Sequence, residues 1–165
     1  LPQCEMVPFS EITRWFSSPD ELVAGVLVQL SGDMDGFIMM VLTMDAAFEL
    51  LTLITGHSGP SDREDYAAVC TALKPIEEVG NILVGAYLSA ISSMTNMFIA
   101  PSVPVLSVDM VMAMMNVPAV VYGEIGESAL HMETEFHNDL SSITGRYFLV
   151  PTMDSYGRLM KALGL

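Results

Sequence analysis

The chain has 165 residues, the length of one ordinary domain, and it is 52% hydrophobic and only 16% charged, which excludes a disordered acidic tail. Its 20 acidic residues against 6 basic ones give a net charge of −14, and a surface of this sign repels phosphate backbones, which argues against nucleic-acid binding. The two cysteines, Cys4 and Cys70, have neither metal-ligand nor disulfide spacing, so we expect two buried thiols in a reducing compartment.

The first third of the chain predicts a β-hairpin followed by a helix. Residues 23–30 and 37–43 are rich in Val, Leu, Ile and Phe, and the segment between them contains two glycines, which is the pattern of two strands joined by a turn. Apolar residues at helical spacing then run from Asp45 to Gly56. We expect a short amphipathic helix with Asp45 as its N-cap and Gly56 as its C-cap.

A long helical segment is predicted in the middle of the chain, from the end of the polar loop 58–65 to about Met94. Pro75 must begin or kink part of it, because proline lacks the amide donor and its ring clashes one turn back. Beyond Pro75, apolar residues recur every three or four positions, which predicts one buried face. That face would consist of Val79, Ile82, Leu83, Ala86, Ala90, Ile91 and Met94.

Residues 82–108 carry no charge, which raises the question of a membrane span of about 20 apolar residues. Polar residues at 92, 93, 95 and 96 interrupt the apolar run, and Pro101 and Pro104 prevent a continuing helix, so we expect no span. No basic region or cleavage site of a signal peptide follows Leu1. We therefore expect a cytoplasmic protein.

The last third of the chain repeats part of the first. Residues 144–154 parallel residues 35–45 at an offset of 109, with a glycine and the triplet Thr-Met-Asp in matching places. In both copies a strand leaves a glycine turn and an aspartate, Asp45 or Asp154, precedes a helix that it is expected to cap. The repeat predicts an internally duplicated fold.

A carboxylate and a carboxamide, Glu78 and Asn81, lie three residues apart in the long helical segment, so both side chains project from one helix face. Alone, such a pair is usually part of a solvated helix surface. Its setting is more specific: the run 77–90 reads Glu-Glu-Val-Gly-Asn-Ile-Leu-Val-Gly-Ala-Tyr-Leu-Ser-Ala, and Pro104 follows after 22 further residues from Asn81. This pattern resembles the second catalytic helix of the CheC family, of the CheC/CheX/FliY type, written Asp/Ser-x3-Glu-x2-Asn-x22-Pro.

The resemblance covers the whole chain, with one departure: Lys74 stands where the family has Asp or Ser, and lysine cannot cap the helix as those residues do. The segment 1–4 resembles 103–106, so Pro2 is expected to be the proline that closes a first copy of the motif. The resemblance thus implies a single CheC-like domain over residues 1–165, lacking the N-terminal helix of the first repeat. We expect such a fragment to expose apolar sheet and to form homo-oligomers.

The fold implied by the resemblance and by the hairpins is an α+β domain with a largely antiparallel sheet, helices packed on it and an internal pseudo-twofold. The function implied is a phosphatase that hydrolyses the phosphoaspartate of the chemotaxis response regulator CheY. By resemblance to the family's catalytic Asn and Glu, Asn81 would position the attacking water and Glu78 would contact the regulator. The protein would need no cofactor of its own, because phosphorylated CheY carries the magnesium ion.

Two further implications stay open at this stage. Some family members bind the receptor deamidase CheD, and no residue of this chain indicates whether it does so. The alternative function is a non-catalytic CheY-binding module like the middle domain of flagellar motor switch proteins, which has a similar fold and does not need the Glu/Asn pair. The presence of Glu78, Asn81 and Pro104 in register favours the phosphatase.

The remaining candidates have simpler interpretations. Strict alternation over residues 130–137 puts His131, Glu133, Glu135 and His137 on one strand face, where they could bind a metal, but a solvated strand face explains the pattern better and we predict no metal site. His57 has no catalytic partner in the sequence, so we assign it no role. The 14 methionines are expected to fill the core rather than to form a binding surface.

Overall fold

A seven-stranded antiparallel sheet with helices on both faces forms the fold in a computed structural model, which describes residues 4–164. The prediction of an α+β fold built on an antiparallel sheet is confirmed. The elements are, in chain order, β1 (Cys4–Pro8), a 3-10 helix (Phe9–Trp15), β2 (Leu22–Gly32), β3 (Gly36–Thr43), α1 (Met44–Thr55), α2 (Tyr66–Ala72), α3 (Lys74–Thr95), β4 (Ile99–Pro101), β5 (Val105–Met110), α4 (Val111–Met115), α5 (Val117–Tyr122), β6 (Ser128–His137), β7 (Ser142–Pro151) and α6 (Met153–Leu163).

The predicted hairpin is present as β2 and β3, which pair antiparallel. The helix after it ends as predicted at Gly56, whose φ of 75° is the left-handed conformation that glycine adopts readily. Its N-cap, however, is Thr43, whose hydroxyl accepts a hydrogen bond of 3.2 Å from the amide of Ala46. The prediction that Asp45 is the cap is therefore wrong; Asp45 lies in the first turn, where the helix dipole favours its charge.

The same correction applies to the second copy of the repeat. There Thr152, not Asp154, caps the helix and accepts from the amide of Ser155 at 3.4 Å. The two copies therefore agree in their caps as well as in their sequence. A hydroxyl one residue before the helix reaches the amide three positions ahead in both cases, which is the usual N-cap geometry.

Strands β3 and β7 are neighbours at the centre of the sheet, and their pairing places Met39 opposite Phe148. These two residues are also equivalent positions of the sequence repeat, because they are separated by the repeat offset of 109. The pseudo-twofold axis therefore passes between them. Outside this pair, β2 flanks β3 and β6 flanks β7, while β5 pairs with β2 and β1 pairs with β6. Each half of the chain thus supplies the outer strand of the other half.

Two hydrophobic layers lie on the two faces of the sheet. Val26, Ile38 and Tyr147 point into the layer beneath α1, α3 and α6, where they pack with Leu50 and Leu159. The opposite layer lies beneath the 3-10 helix, α4 and α5. It is formed by the alternate residues of the same strands, including Met39, Val41, Phe148 and Val150. Because both faces are covered, the central strands are apolar almost without interruption.

Methionines rather than cysteines fill the interior. Met34, Met39 and Met40 are fully buried, as expected for methionines of the core. The expectation does not hold for Met94, Met110 and Met153, which are exposed. Cys4 is exposed and Cys70 is only partly buried. The prediction of two buried thiols is therefore wrong.

Helix α3 begins after a break at Leu73, at the place where Pro75 predicted a helix start. Its buried face agrees with the predicted one only at Ile91, which is buried, and at Leu83, which is half-buried and packs against the core. Ile82 is 70% and Met94 71% exposed, and Ala86 and Ala90 are exposed as well. The buried positions are Ile76, Gly80, Val84, Leu88 and Ile91. Apolar residues occur on both faces of α3, so periodicity alone did not show which face meets the sheet.

Close packing selects the face that includes Gly80. A Cβ placed on Gly80 would lie 2.9–3.0 Å from three side-chain atoms of Val26 in β2, so only glycine lets the helix approach the sheet this closely.

None of the helices within residues 4–164 combines the length and hydrophobicity needed to cross a bilayer.

The expected strip of uncovered sheet is not seen on β6, whose Leu130 and Met132 are buried. Ile82 and Met94 of α3 are among the exposed large apolar side chains of the described residues. Pro2, the predicted proline of a first motif, lies outside the residues that the structure describes. Self-association of the chain stays a prediction.

A pair of glycine substitutions tests the packing of α3. Gly85 has no neighbouring atom within 4 Å of a built Cβ, so Gly85→Ala should stabilise the protein by up to about 1 kcal/mol through helix propensity. Gly80→Ala gains the same propensity but overpacks Val26, so it should be less stable than Gly85→Ala by about 1–3 kcal/mol. Urea unfolding of both variants measures the difference, and equal free energies of unfolding would contradict the close approach of Gly80 to Val26.

Candidate functional site

The face of α3 that carries Glu78 and Asn81 is open to solvent, and both side chains are exposed. They lie one turn apart on the same side of the helix. Exposed apolar side chains continue along the helix from this pair, at intervals of four residues: Ile82, Ala86, Ala90 and Met94. We call these four residues the α3 apolar strip. The structure thus joins a polar pair to an uncharged apolar surface.

The residues one position before the pair point in another direction. Glu77 and Gly80 precede Glu78 and Asn81 by one residue each, and one residue is a rotation of about 100° on an α-helix. Gly80 is buried against the sheet, and the Glu77 side chain is only 19% exposed. Glu77 and Gly80 therefore lie on the side of the helix that meets the sheet, and Glu78 and Asn81 lie on the adjacent, exposed side.

Glu77 contacts the outer strand β5. Its Oε2 atom accepts a hydrogen bond of 2.9 Å from the amide of Leu106, and it lies 3.0 Å from the Nζ of Lys74. Leu106 is paired with Val26, the residue on which Gly80 packs. Sequence reasoning missed Glu77, because a hydrogen bond to a distant backbone amide has no motif of its own.

The structure also places Lys74 and Pro104. Lys74 opens α3, its side chain is exposed apart from its ion pair with Glu77, and the N-cap residue Leu73 makes no side-chain capping bond. Pro104 is half-buried and directly precedes β5. The fixed spacing from Asn81 to Pro104 is therefore the length of chain between the site and the start of β5, the strand that Glu77 contacts.

Strand β6 has the predicted alternation, but its face is not wholly solvated. Glu135 and His137 are exposed, whereas His131 is only 3% exposed and stacks on Trp15 with 3.9 Å between ring centroids. The expectation of a solvated face is wrong at His131, because Trp15 of the 3-10 helix covers this end of the strand. Within residues 4–164 no three His, Cys, Asp or Glu side chains are grouped as metal ligands would be. His57 is exposed.

The chain was compared with family models, with curated proteins and with solved structures. No family model matches the chain. The chain is 27% identical over 166 residues to the CheY-P phosphatase CheC of Bacillus subtilis (strain 168), a match that covers 99% of this chain and 79% of that protein.

Solved structures share the fold at low sequence identity. FliY of Thermotoga maritima matches with a TM-score of 0.55 at 14% identity, over 99% of this chain and 79% of FliY. CheX in the CheX-CheY-BeF3-Mg complex of Borrelia burgdorferi matches with a TM-score of 0.52 at 14% identity, over 86% and 91% of the two chains. The FliM middle domain of Vibrio alginolyticus gives 0.55 at 14% identity, over 98% and 82%.

The duplicated antiparallel sheet with α3 packed on it defines the class of folds to which CheX, FliY and the FliM middle domain belong. Within this class, the match to CheC extends over nearly the whole chain and the Glu-x-x-Asn-x22-Pro pattern stands on an exposed helix. The chain is therefore similar to the CheC family over nearly its whole length.

On the face of the sheet opposite α3, His131 lies among charged side chains from three strands. Its Nδ1 is 3.5 Å from Glu5 and its Nε2 is 3.7 Å from Glu133, and Arg146 lies beside Glu133. Arg14 of the 3-10 helix pairs with Glu5. Burial lowers the pKa of His131 from its usual value, while the attraction of Glu133 and Glu5 opposes this shift.

The lowered pKa of His131 predicts a pH dependence of stability. The unfolded chain binds the His131 proton more tightly than the folded protein, so stability falls as the pH drops through the usual histidine pKa of about 6.5 and below. His131→Phe keeps an aromatic ring against Trp15 but removes the titration. Urea unfolding at pH 7.5 and 5.5 should show a smaller loss of stability in His131→Phe than in the wild type. An equal loss in both proteins would mean that His131 does not contribute.

Proposed function

We propose that this chain is a phosphatase of phosphorylated CheY, with Asn81 positioning the attacking water and Glu78 contacting the regulator. The observation that supports this most strongly is the exposure of Glu78 and Asn81, one turn apart on α3, in a chain that is similar over 99% of its length to Bacillus subtilis CheC, a CheY-P phosphatase. A cytoplasmic location follows from this proposal, because the regulator acts there.

The chemistry needs little from this chain. Phosphoryl transfer is catalysed mainly by positioning and by electrostatic stabilisation, without a protein nucleophile on the phosphatase side. A carboxamide suits the task, because its oxygen accepts a hydrogen bond from water while its amino group donates one to a phosphoryl oxygen. The phosphoaspartate and the magnesium ion are proposed to belong to CheY. The Borrelia complex is one of CheX with CheY, BeF3 and magnesium.

Glu78 and the α3 apolar strip are proposed to hold the regulator. A carboxylate at the surface forms a charge-assisted hydrogen bond with a lysine of the partner. The strip adds contact area, since an uncharged row of exposed apolar residues is typical of an interaction surface. With a net charge of −14, the chain would otherwise repel an acidic partner. Binding of CheD remains a separate prediction, for which these residues give no indication.

The second candidate is a CheY-binding module without catalysis, because the FliM middle domain matches the fold as closely as FliY does. The two functions make different demands on one residue. A binding module needs a surface but has no use for a water-positioning carboxamide. The effect of replacing Asn81 on turnover therefore separates them.

Asn81→Ala should lower the acceleration of CheY-phosphate hydrolysis by about 10²-fold or more, since misplacing a reacting group by about 1 Å has a cost of that size. The fold should be unaffected, because Asn81 is exposed and alanine is the better helix former. Binding should change little. Loss of phosphoryl group from labelled CheY in the presence of magnesium measures the rate, and titration with CheY carrying a beryllofluoride group measures the affinity.

Glu78→Ala should weaken both affinity and rate, because its proposed contact forms when the regulator docks. Asn116→Ala is the matched control for Asn81→Ala: Asn116 is exposed between α4 and α5, on the opposite face of the sheet. The phosphatase proposal fails if the wild type gives no acceleration over CheY alone, or if Asn81→Ala retains the wild-type rate. Tight binding without acceleration would establish the binding module in its place.

A further inference from the structure

We infer that Glu77 is a positioning residue for the site: it anchors α3 to the outer strand β5 and so fixes the direction in which Glu78 and Asn81 point. The inference rests on the proposed function, because it concerns the presentation of that pair. It adds a residue that neither the family pattern nor the exposed face of α3 identifies.

The first step is the contact itself. Leu106 lies on β5, whose described strand partner is β2, and its amide donates to Glu77 Oε2 at 2.9 Å. A backbone amide without a partner at the side of a sheet is satisfied by water, or by a side chain that reaches it. Here the side chain comes from a helix, so the bond ties two elements together.

The second step is that this bond acts beside a close contact. Gly80 packs directly on Val26 of β2, and Val26 is the residue paired with Leu106. The contact of Gly80 with Val26 fixes the height of the helix above the sheet. The hydrogen bond from Leu106 to Glu77, one turn earlier on the helix, prevents rotation of the helix about that contact.

The third step concerns the exposed pair. Glu78 and Asn81 follow Glu77 and Gly80 by one residue each on the same helix. Any rotation of α3 about its axis therefore turns Glu78 and Asn81 through the same angle as Glu77 and Gly80. A side chain that extends several ångströms from the helix axis moves by about 1 Å for a rotation of roughly 10°, and displacements of this size lower the rate of a positioned reaction.

Lys74 has a lesser part in this arrangement. Its Nζ is 3.0 Å from Glu77 Oε2, but the lysine side chain is 62% exposed. Exposed ion pairs contribute little, because solvent screens them and the long side chains lose entropy. The amide of Leu106 is the partner that anchors the helix, and Lys74 only helps to orient the carboxylate of Glu77.

The kinetic test uses Glu77→Ala, Glu77→Gln and Lys74→Ala in the assay with phosphorylated CheY. Glu77→Ala should lower kcat by about 10–100-fold and change KM by less than about 3-fold, because the docking surface itself is intact. Glu77→Gln keeps a carbonyl oxygen for the Leu106 amide and should restore most of kcat. Lys74→Ala should stay within about 3-fold of the wild type. Glu49→Ala, an exposed helical glutamate on α1, is the matched control.

A second readout does not depend on activity. Hydrogen exchange of the Leu106 amide, followed by NMR, should be about 10-fold faster in Glu77→Ala, the factor expected for losing one hydrogen bond to a charged group. It should stay near the wild-type rate in Glu77→Gln and Lys74→Ala. If Glu77→Ala does not fold, Glu77→Asp gives the same test, because it keeps the charge and shortens the reach by one methylene.

The outcomes separate the two proposals. If Asn81→Ala loses activity while Glu77→Ala retains the wild-type kcat, the phosphatase stands and the positioning role is overturned. If the wild type shows no phosphatase activity, the proposed function fails, and the exchange experiment decides the anchoring contact alone. Unchanged protection of Leu106 in Glu77→Ala overturns that contact, and loss of protection only in this variant supports it.

Discussion

The antiparallel pairing of β3 with β7 is the contact on which the rest of the structure depends. It joins the two copies of the repeat at equivalent residues, Met39 and Phe148, and it lies where both faces of the sheet are buried. Strands covered on both faces need apolar side chains at every position and helices on both sides. The three-layer arrangement and the uninterrupted apolar segments both follow from this central pair.

Much of this fold could be predicted from sequence because its signals are local. Turn glycines and apolar strands predicted the hairpin, and Gly56 predicted the end of α1. The N-caps were predicted two residues too late, since Asp45 and Thr43 are both good capping residues and the sequence does not show which one has the non-helical backbone. His131 was assigned to a solvated face because nothing near it in sequence indicates that Trp15 lies above it.

The site shows a similar division. The exposure of Glu78 and Asn81 could be predicted, because a polar pair at this spacing seldom faces a core. The face of α3 that meets the sheet could not, since Ile82 and Met94 are as apolar as Val84 and Leu88. That choice depends on the room that Gly80 leaves for Val26, which is a property of two elements together. The partner of Glu77 is a backbone amide, and every residue except proline has one, so no pattern of side chains identifies it.

The exchange of outer strands between the two halves has a consequence for how the protein forms. Within residues 4–164, the strand partner of β1 is β6, near the other end of the chain, and β2 gains its outer partner β5 only after α3 has been made. Such long-range pairings are slow to form, because the chain loses the entropy of closing large loops before the stabilising contacts are made. During synthesis β1 has to wait, unpaired, until the second half has left the ribosome. If the two copies were separated, each would lack the outer strand that the other copy supplies. The two halves therefore have to fold together, as one cooperative unit.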